Sequence, residues 1–218
     1  MQSTHQNLEQ LAKKVVGAMP DFNSAGQLVA VALYRQLAQG KPVSPGKVAE
    51  NLGLSRDLVL NTLKGWPGVF YDGDKNVVGF WGIAQRETPH RFKVEGKQLY
   101  TWCAWDSLFI PQILGQTAYV ESTCPTTGER ISLTVSPDRV QEVSPAGLVV
   151  SFLTPDTPFD ENVVLSFCHY VLFFSSEEAG TKWTAEHKNT FLLSVEEAYQ
   201  VGRLTNRAHF GDVLARTN

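Results

Sequence analysis

The sequence predicts an α+β protein: an N-terminal helical, winged helix-turn-helix-like module followed by a mainly antiparallel β core with flanking helices. Three observations carry this. Up to about Lys64 the apolar residues recur at helical spacing, with capping residues before the runs and glycines after them. From Thr88 onward the chain changes to short alternating runs separated by Gly, Pro, Ser and Thr. Between the two lies a strong hairpin signal. The resulting division is 1–87 for the helical region and 88–218 for the mixed β/α region that carries the cysteines.

The first helix falls within Met1 to Val16, where Leu8, Leu11, Ala12, Val15 and Val16 share one face with Glu9, Lys13 and Lys14 between them. A second runs from Ala25 to Gln39, with Leu28, Ala32 and Leu37 inward and Gly40 as its stop. Ser44 and Pro45 open a third that ends at Gly53, a cap followed by the one residue type that lacks a useful N–H at the first turn anyway. Ser55 caps a fourth through Lys64, with Leu58, Val59, Thr62 and Leu63 inward. Val69–Tyr71 and Asn76–Trp81 then flank Asp72-Gly-Asp-Lys75 as a hairpin. Residues 20–86 have the order of a winged helix-turn-helix module.

In the β half, His90–Glu95, Ala118–Ser122 and Ile131–Val135 alternate as half-buried strands do, while Leu148–Leu153 is a nearly continuous apolar run. Trp102–Ile110 reads as a helix ending near Pro111, and Ser194–Gly202 as a closing helix with a glycine stop. Leu165–Phe174 reads as a strand, placing Cys168, Tyr170 and Leu172 on one face and Phe167, His169 and Val171 on the other.

Composition narrows the function. At 218 residues, with 43% hydrophobic and 19% charged, the chain buries a sizeable core. A formal charge of −3 disfavours a protein built for phosphate backbones. Residues 20–86 carry seven Lys/Arg against five Asp/Glu, a net +2, and two aspartates at the wing tip would meet the phosphates they should avoid. A structural or interaction role is therefore preferred over DNA reading for this module. No run approaches the roughly 20 apolar residues that span a bilayer, and the N-terminal segment is amphipathic rather than signal-like, so no membrane partner and a cytoplasmic location are expected. There is no phosphate loop, no G-x-S-x-G elbow and no H-E-x-x-H helix.

What remains is thiol chemistry. Cys103 and Asp106 stand three apart in Trp102-Cys-Ala-Trp-Asp106, on one face if that segment is helical. Two readings stay open on spacing alone: a core-filling thiol beside a carboxylate that favours a helix start, or a thiol activated at that start. Strand alternation separates Cys168 from His169, which argues against a Cys-His pair and against zinc, as does the absence of C-x-x-C spacing. Cys124, before Pro125 and a turn, reads as structural, and the histidines fall in no pattern.

At these residues the chain resembles the organomercurial (alkylmercury) lyases of bacterial mercury resistance. The carrying motifs are Leu99-Tyr-Thr-Trp-Cys-Ala-Trp-Asp106, Thr123-Cys-Pro-Thr-Thr-Gly128 with Ile131–Ser136, Pro145-Ala-Gly147, and Ser166-Phe-Cys-His169 followed by Phe173-Phe174. The resemblance implies protonolysis of a carbon–mercury bond to a hydrocarbon and Hg(II). It implies Cys103 and Cys168 as mercury-binding thiolates, Asp106 as the proton shuttle and mercury ligand of substrate or product, and Cys124 as structural. His169 stands where some members carry a further cysteine. No cofactor is implied, because mercury arrives with the substrate; small thiols or a mercuric reductase would accept the Hg(II). The competing expectations are a mercury- or thiol-responsive winged-helix regulator and a sequestering protein without turnover.

Overall fold

A computed structural model describes residues 2–215; Met1 and 216–218, and the side chains of residues 2–6 including His5 and of Asp212, lie outside the described set. The chain opens with α1 (Gln2–Ala18), α2 (Ser24–Leu37), α3 (Pro45–Leu52) and α4 (Arg56–Lys64). It continues through β1 (Val69–Tyr71), β2 (Val77–Phe80), β3 (Ile83–Ala84), β4 (His90–Val94), β5 (Lys97–Thr101) and α5 (Asp106–Leu114). Then follow β6 (Ala118–Thr123), β7 (Arg130–Val135), β8 (Val140–Ser144), β9 (Val149–Leu153) and the short α6 (Val163–Ser166). The chain closes with β10 (Phe173–Phe174), α7 (Glu177–Glu186), β11 (Thr190–Ser194) and α8 (Val195–Ala215).

The local signals explain the helix starts. Asn23 accepts the Gly26 N–H at the head of α2, and Ser55 accepts the Leu58 N–H at the head of α4. Gly53 ends α3 at φ +64, the left-handed conformation that glycine adopts without a Cβ penalty. Two inward assignments fail. Leu28 and Leu58 are 41% and 42% exposed, and the helices bury the neighbouring stripes instead: Val29, Leu33 and Leu37 on α2, and Val59 and Leu63 on α4. An apolar residue at the edge of a helical stripe is assigned by spacing but buried only if a partner element covers it.

Strands β1 to β8 form one antiparallel sheet in the order β1-β2-β3-β5-β4-β6-β7-β8, and β10-β9-β11 form a second. The period-2 readings hold: His90, Phe92 and Val94 of β4, Ala118, Val120 and Ser122 of β6, and Ile131, Leu133 and Val135 of β7 all point into the core. The apolar run becomes β9, the centre of the three-stranded sheet, where both faces are covered. The hairpin β1–β2 turns as expected, with the Asp72 carboxylate accepting the N–H groups of Asp74 and Asn76. It forms the edge of the eight-stranded sheet, however, and does not stand free as a wing.

Three local readings are corrected. The segment around Cys168 is not a strand: Cys168–Tyr170 is a 3-10 turn after α6, and only Phe173–Phe174 pair with β9. The helix near Cys103 begins at Asp106 rather than Trp102 and runs through Pro111 to Leu114, so Cys103 lies in the loop before it. Gly202 does not stop α8, which continues to Ala215. A Cβ at Gly202 would come within 2.7 Å of the Phe109 Cβ, so this glycine lets α8 pack directly on α5.

Candidate active site

Cys103, Asp106 and Cys168 converge. Their ligand atoms all lie within 4.8 Å of one another, and all three residues are buried. Cys103 and Asp106 meet through a loop rather than along a helix face: the Asp106 carboxylate, at the first turn of α5, accepts the Cys103 N–H at 2.8 Å. The Ser107 hydroxyl donates to the Ala104 carbonyl at 2.6 Å, and the Thr101 hydroxyl donates to the Cys103 carbonyl at 3.0 Å. These three hydrogen bonds fix the shape of the turn.

Cys168 arrives from a distant part of the chain. The Ala104 N–H donates to the Val171 carbonyl at 3.0 Å, joining the two cysteine loops, and the Val171 N–H donates back to the Cys168 carbonyl. Buried Ser151 on β9 anchors the same stretch, its hydroxyl donating to the Tyr170 carbonyl and accepting the Leu172 N–H. His169 is exposed, its ring meets Tyr170 edge-on, and it shares a 3-10 turn with Cys168, so the strand alternation expected to separate the two does not apply.

Two residues that sequence reasoning missed shape the carboxyl's surroundings. A Cβ on Gly82 would fall 2.6 Å from the Asp106 carboxyl, and Gly82 has φ +100, so only glycine fits. The adjoining Trp81 is held at φ +33, with its N–H on the Gly68 carbonyl and its own carbonyl accepting the Tyr34 hydroxyl at 2.7 Å. This is how helix α2 contributes to the site: Tyr34 pins the strained corner that makes room for Asp106. No sequence motif announces Gly82; its role is set by what folds against it. Met19, Trp81, Trp102, Trp105, Phe159 and Phe167 help to enclose a chamber of about 20 Å³ against Asp106 and Cys168. That is room for about one water-sized group.

The apolar walls set the electrostatics. Burial raises the Asp106 carboxyl to about 7, partly opposed by hydrogen bonds from Cys103. Cys103 is pushed well above the usual thiol range by burial, by its hydrogen bond to Cys168 and by the nearby Asp106 charge. Cys168 is raised less: the hydrogen bond it receives from Cys103 favours its thiolate, and burial and Asp106 oppose it. Both sulfurs therefore hold their protons in the free site near neutral pH. Cys124 lies outside this group, in the β6–β7 turn. Burial pushes its thiol up, but hydrogen bonds from Thr127 and Ser175 outweigh this and lower it.

Stability should record the buried carboxyl. Asp106 keeps its proton to about pH 7 in the fold but ionises near 3.8 when unfolded. Between about pH 4 and 7 the folded state binds one proton more, so this group's contribution to stability declines as pH rises and is flat above that window. His90 and His209, both lowered to about 4 by burial, act in the opposite sense over about pH 4 to 6.5. Comparison with Asp106→Asn isolates the carboxyl. In urea unfolding, the stability of wild type relative to the variant is expected to be greater at pH 5 than at pH 8, by at most about 1.4 kcal/mol per pH unit inside the window. An identical difference at the two pH values would mean an ordinary carboxylate.

A family model described as alkylmercury lyase matches residues 83–206. The alkylmercury lyase of Pseudomonas putida is 41% identical over 195 residues, 88% of this chain and 91% of that one. The alkylmercury lyase of Streptomyces lividans is 44% identical over 181 residues, 83% of each chain. Among solved structures, the mercury-bound form of MerB2 superposes with a TM-score of 0.72 at 21% identity, covering 92% of this chain and 97% of that one, a likeness of fold.

The family model and the curated relatives define a lyase acting on a metal–carbon bond. The chain belongs to the alkylmercury lyase family, and its reaction is protonolytic cleavage of the carbon–mercury bond of organomercurials to a hydrocarbon and Hg(II). The regulator reading finds no support, since the relatives are lyases and the hairpin is part of the main sheet. No described helix is long and apolar enough to cross a membrane.

Proposed function

We propose that Cys103 and Cys168 are the thiolates that hold mercury in this lyase and that Asp106 carries the proton to carbon. The observation that supports this is the buried approach of the two sulfurs and the carboxyl to within 4.8 Å. Thiolates are the softest ligands a protein offers and suit a soft metal.

The organomercurial cation R–Hg⁺ arrives as the complex of a small thiolate and exchanges onto Cys168: the new S–Hg bond replaces the bond to the small thiol, which leaves with the Cys168 proton. Cys103 then binds the same mercury and its S–H proton passes to the adjacent Asp106 carboxylate. Two sulfurs now push electron density through mercury onto carbon, and the Asp106 carboxyl donates its proton there. The electron pair of the C–Hg bond becomes the new C–H bond, the hydrocarbon R–H leaves, Hg(II) stays on the two thiolates, and Asp106 returns to carboxylate. A carboxyl raised to about 7 suits both halves of this duty, since it can hold the proton briefly and still give it up near neutral pH. Every atom of the cleavage step comes from the substrate and these three residues, so that step requires no resident cofactor.

Two small thiols, or a mercuric reductase, complete the cycle by taking Hg(II) from Cys103 and Cys168 and returning protons to them. With phenylmercury in excess, benzene release measured by gas chromatography is expected to stop near one equivalent without added thiol and to continue for many turnovers with it. Unlimited release without thiol would remove the acceptor from the cycle; mercury uptake with no benzene would mark a sequestering protein.

A further inference from the structure

Mercury enters and leaves the site on a sulfur carrier, and the reacting chamber has no room for one. At about 20 Å³ it accepts one water-sized group. Cys168 also lines a second cavity of about 710 Å³, between the β1–β2 hairpin, residues 86–90 and the α6 region, whereas Cys103 does not. A small thiol can therefore meet mercury at Cys168, from this groove.

The segment that follows β3 gives the groove its polar lining, with Arg86, Glu87 and Thr88 in succession. Arg86 is the only Lys or Arg that lines it, and the side chain is exposed. Among the described residues Arg86 makes no ion pair, and Glu87 beside it faces Arg91 at 3.9 Å instead. The backbone that carries Arg86 is fixed on both sides: the Gln85 N–H donates to the Val78 carbonyl, and the Thr88 hydroxyl donates to the Thr101 carbonyl at 2.6 Å. An uncommitted guanidinium on a fixed backbone, in a chain of formal charge −3, offers a carboxylate a two-pronged partner at the cavity where Cys168 is reached.

We propose that Arg86 is the docking point for the carboxylate of a small acidic thiol, which delivers the organomercurial to Cys168 and afterwards takes Hg(II) away. On the way in, the Cys168–mercury bond forms as the bond from mercury to the small thiol breaks, and the Cys168 proton leaves on that thiol. On the way out, one thiol forms a sulfur–mercury bond as the Cys168–mercury bond breaks, and its proton returns to Cys168. A second thiol does the same at Cys103, and Hg(II) departs on two small thiolates. No electrons are transferred in either direction, so the exchange needs no oxidant or reductant. This rests on Cys103 and Cys168 being the sulfurs that hold mercury.

The test loads the protein with Hg(II) by a single turnover of phenylmercury, then times its transfer to excess mercaptoacetate, which is anionic, or to 2-mercaptoethanol, which is neutral. Mercury left on the rapidly desalted protein is the readout. The rate with mercaptoacetate over the rate with 2-mercaptoethanol, compared between variant and wild type, cancels both the intrinsic reactivity of each thiol and any loss of folded protein. This ratio is expected to fall about threefold in Arg86→Gln and about tenfold in Arg86→Glu, the scale of one exposed ion pair lost and then reversed. In salt of about 1 M, where screening acts within roughly 3 Å, the difference between variants should vanish. Arg91→Glu changes an exposed arginine that does not line the groove. An equal fall there would assign the effect to general surface charge and overturn the subsite, as would an unchanged ratio in Arg86→Glu. Cys168→Ser, followed by hydrocarbon release, keeps the two ideas apart: wild-type release there overturns the reacting trio and the subsite with it. Loss of release there, with an unchanged ratio in Arg86→Glu, overturns the subsite alone.

Discussion

Asp106→Asn is expected to slow hydrocarbon release on the order of 10²–10⁴-fold, the usual contribution of a positioned general acid, while the protein still takes up mercury. The amide has the size of the carboxyl, and its oxygen can still accept the Cys103 N–H that Asp106 accepts at 2.8 Å, so the loop before α5 keeps its shape. What is lost is the proton store. Cys103 then has no base for its S–H, and carbon has no acid in a chamber whose other walls are mostly aromatic and aliphatic. Single-turnover benzene release, with mercury bound per chain determined on the same sample, separates chemistry from binding. A variant that matches wild type would place proton delivery elsewhere.

Cys168→Ser and Cys103→Ser are each expected to lower turnover at least on the order of a hundredfold, with the double variant no worse than the poorer single one, because residues acting as a unit are not additive. A serine hydroxyl is a hard ligand that stays protonated, so it neither holds mercury well nor pushes electrons onto carbon. The two variants should differ in kind. Without Cys168 the thiol that lines both cavities is gone and substrate capture fails. Without Cys103, mercury can still reach Cys168, but the second thiolate and the proton destined for Asp106 are both missing. More than about a tenth of wild-type rate in either variant would overturn the two-thiolate scheme. Circular dichroism on each sample guards against loss of fold, as both positions are buried.

Much of the architecture was legible because it depends on neighbours in the chain. Asn23, Ser55 and Gly53 act on backbone groups within a few residues, and the alternation of β4, β6 and β7 answers to a sheet face that any long strand must choose. Readings failed where a distant element decided. Gly202 has the form of a helix stop, yet Phe109 packs on it and α8 continues. The Leu165–Phe174 run is as apolar as a strand should be. Its first half is turned into α6 and a 3-10 turn, with Phe167 and Val163 packed into the chamber wall.

The candidate site divides the same way. The residue types, and the spacing of Cys103 and Asp106, can be read from a stretch of four residues; that they meet through a loop rather than on a helix face cannot. That Cys168 joins them is a tertiary fact: it follows from the Ala104-to-Val171 backbone bond and from Ser151 on β9, whose partners are remote in sequence. So is the room that Gly82 leaves for the carboxyl, and the burial that lifts Asp106 to about 7. The sequence by itself therefore determined the local elements and the chemical inventory, since propensity, capping and alternation are short-range. Only the tertiary structure decided which groups meet and how dry their meeting place is, because distance and desolvation are sums over residues far apart in the chain.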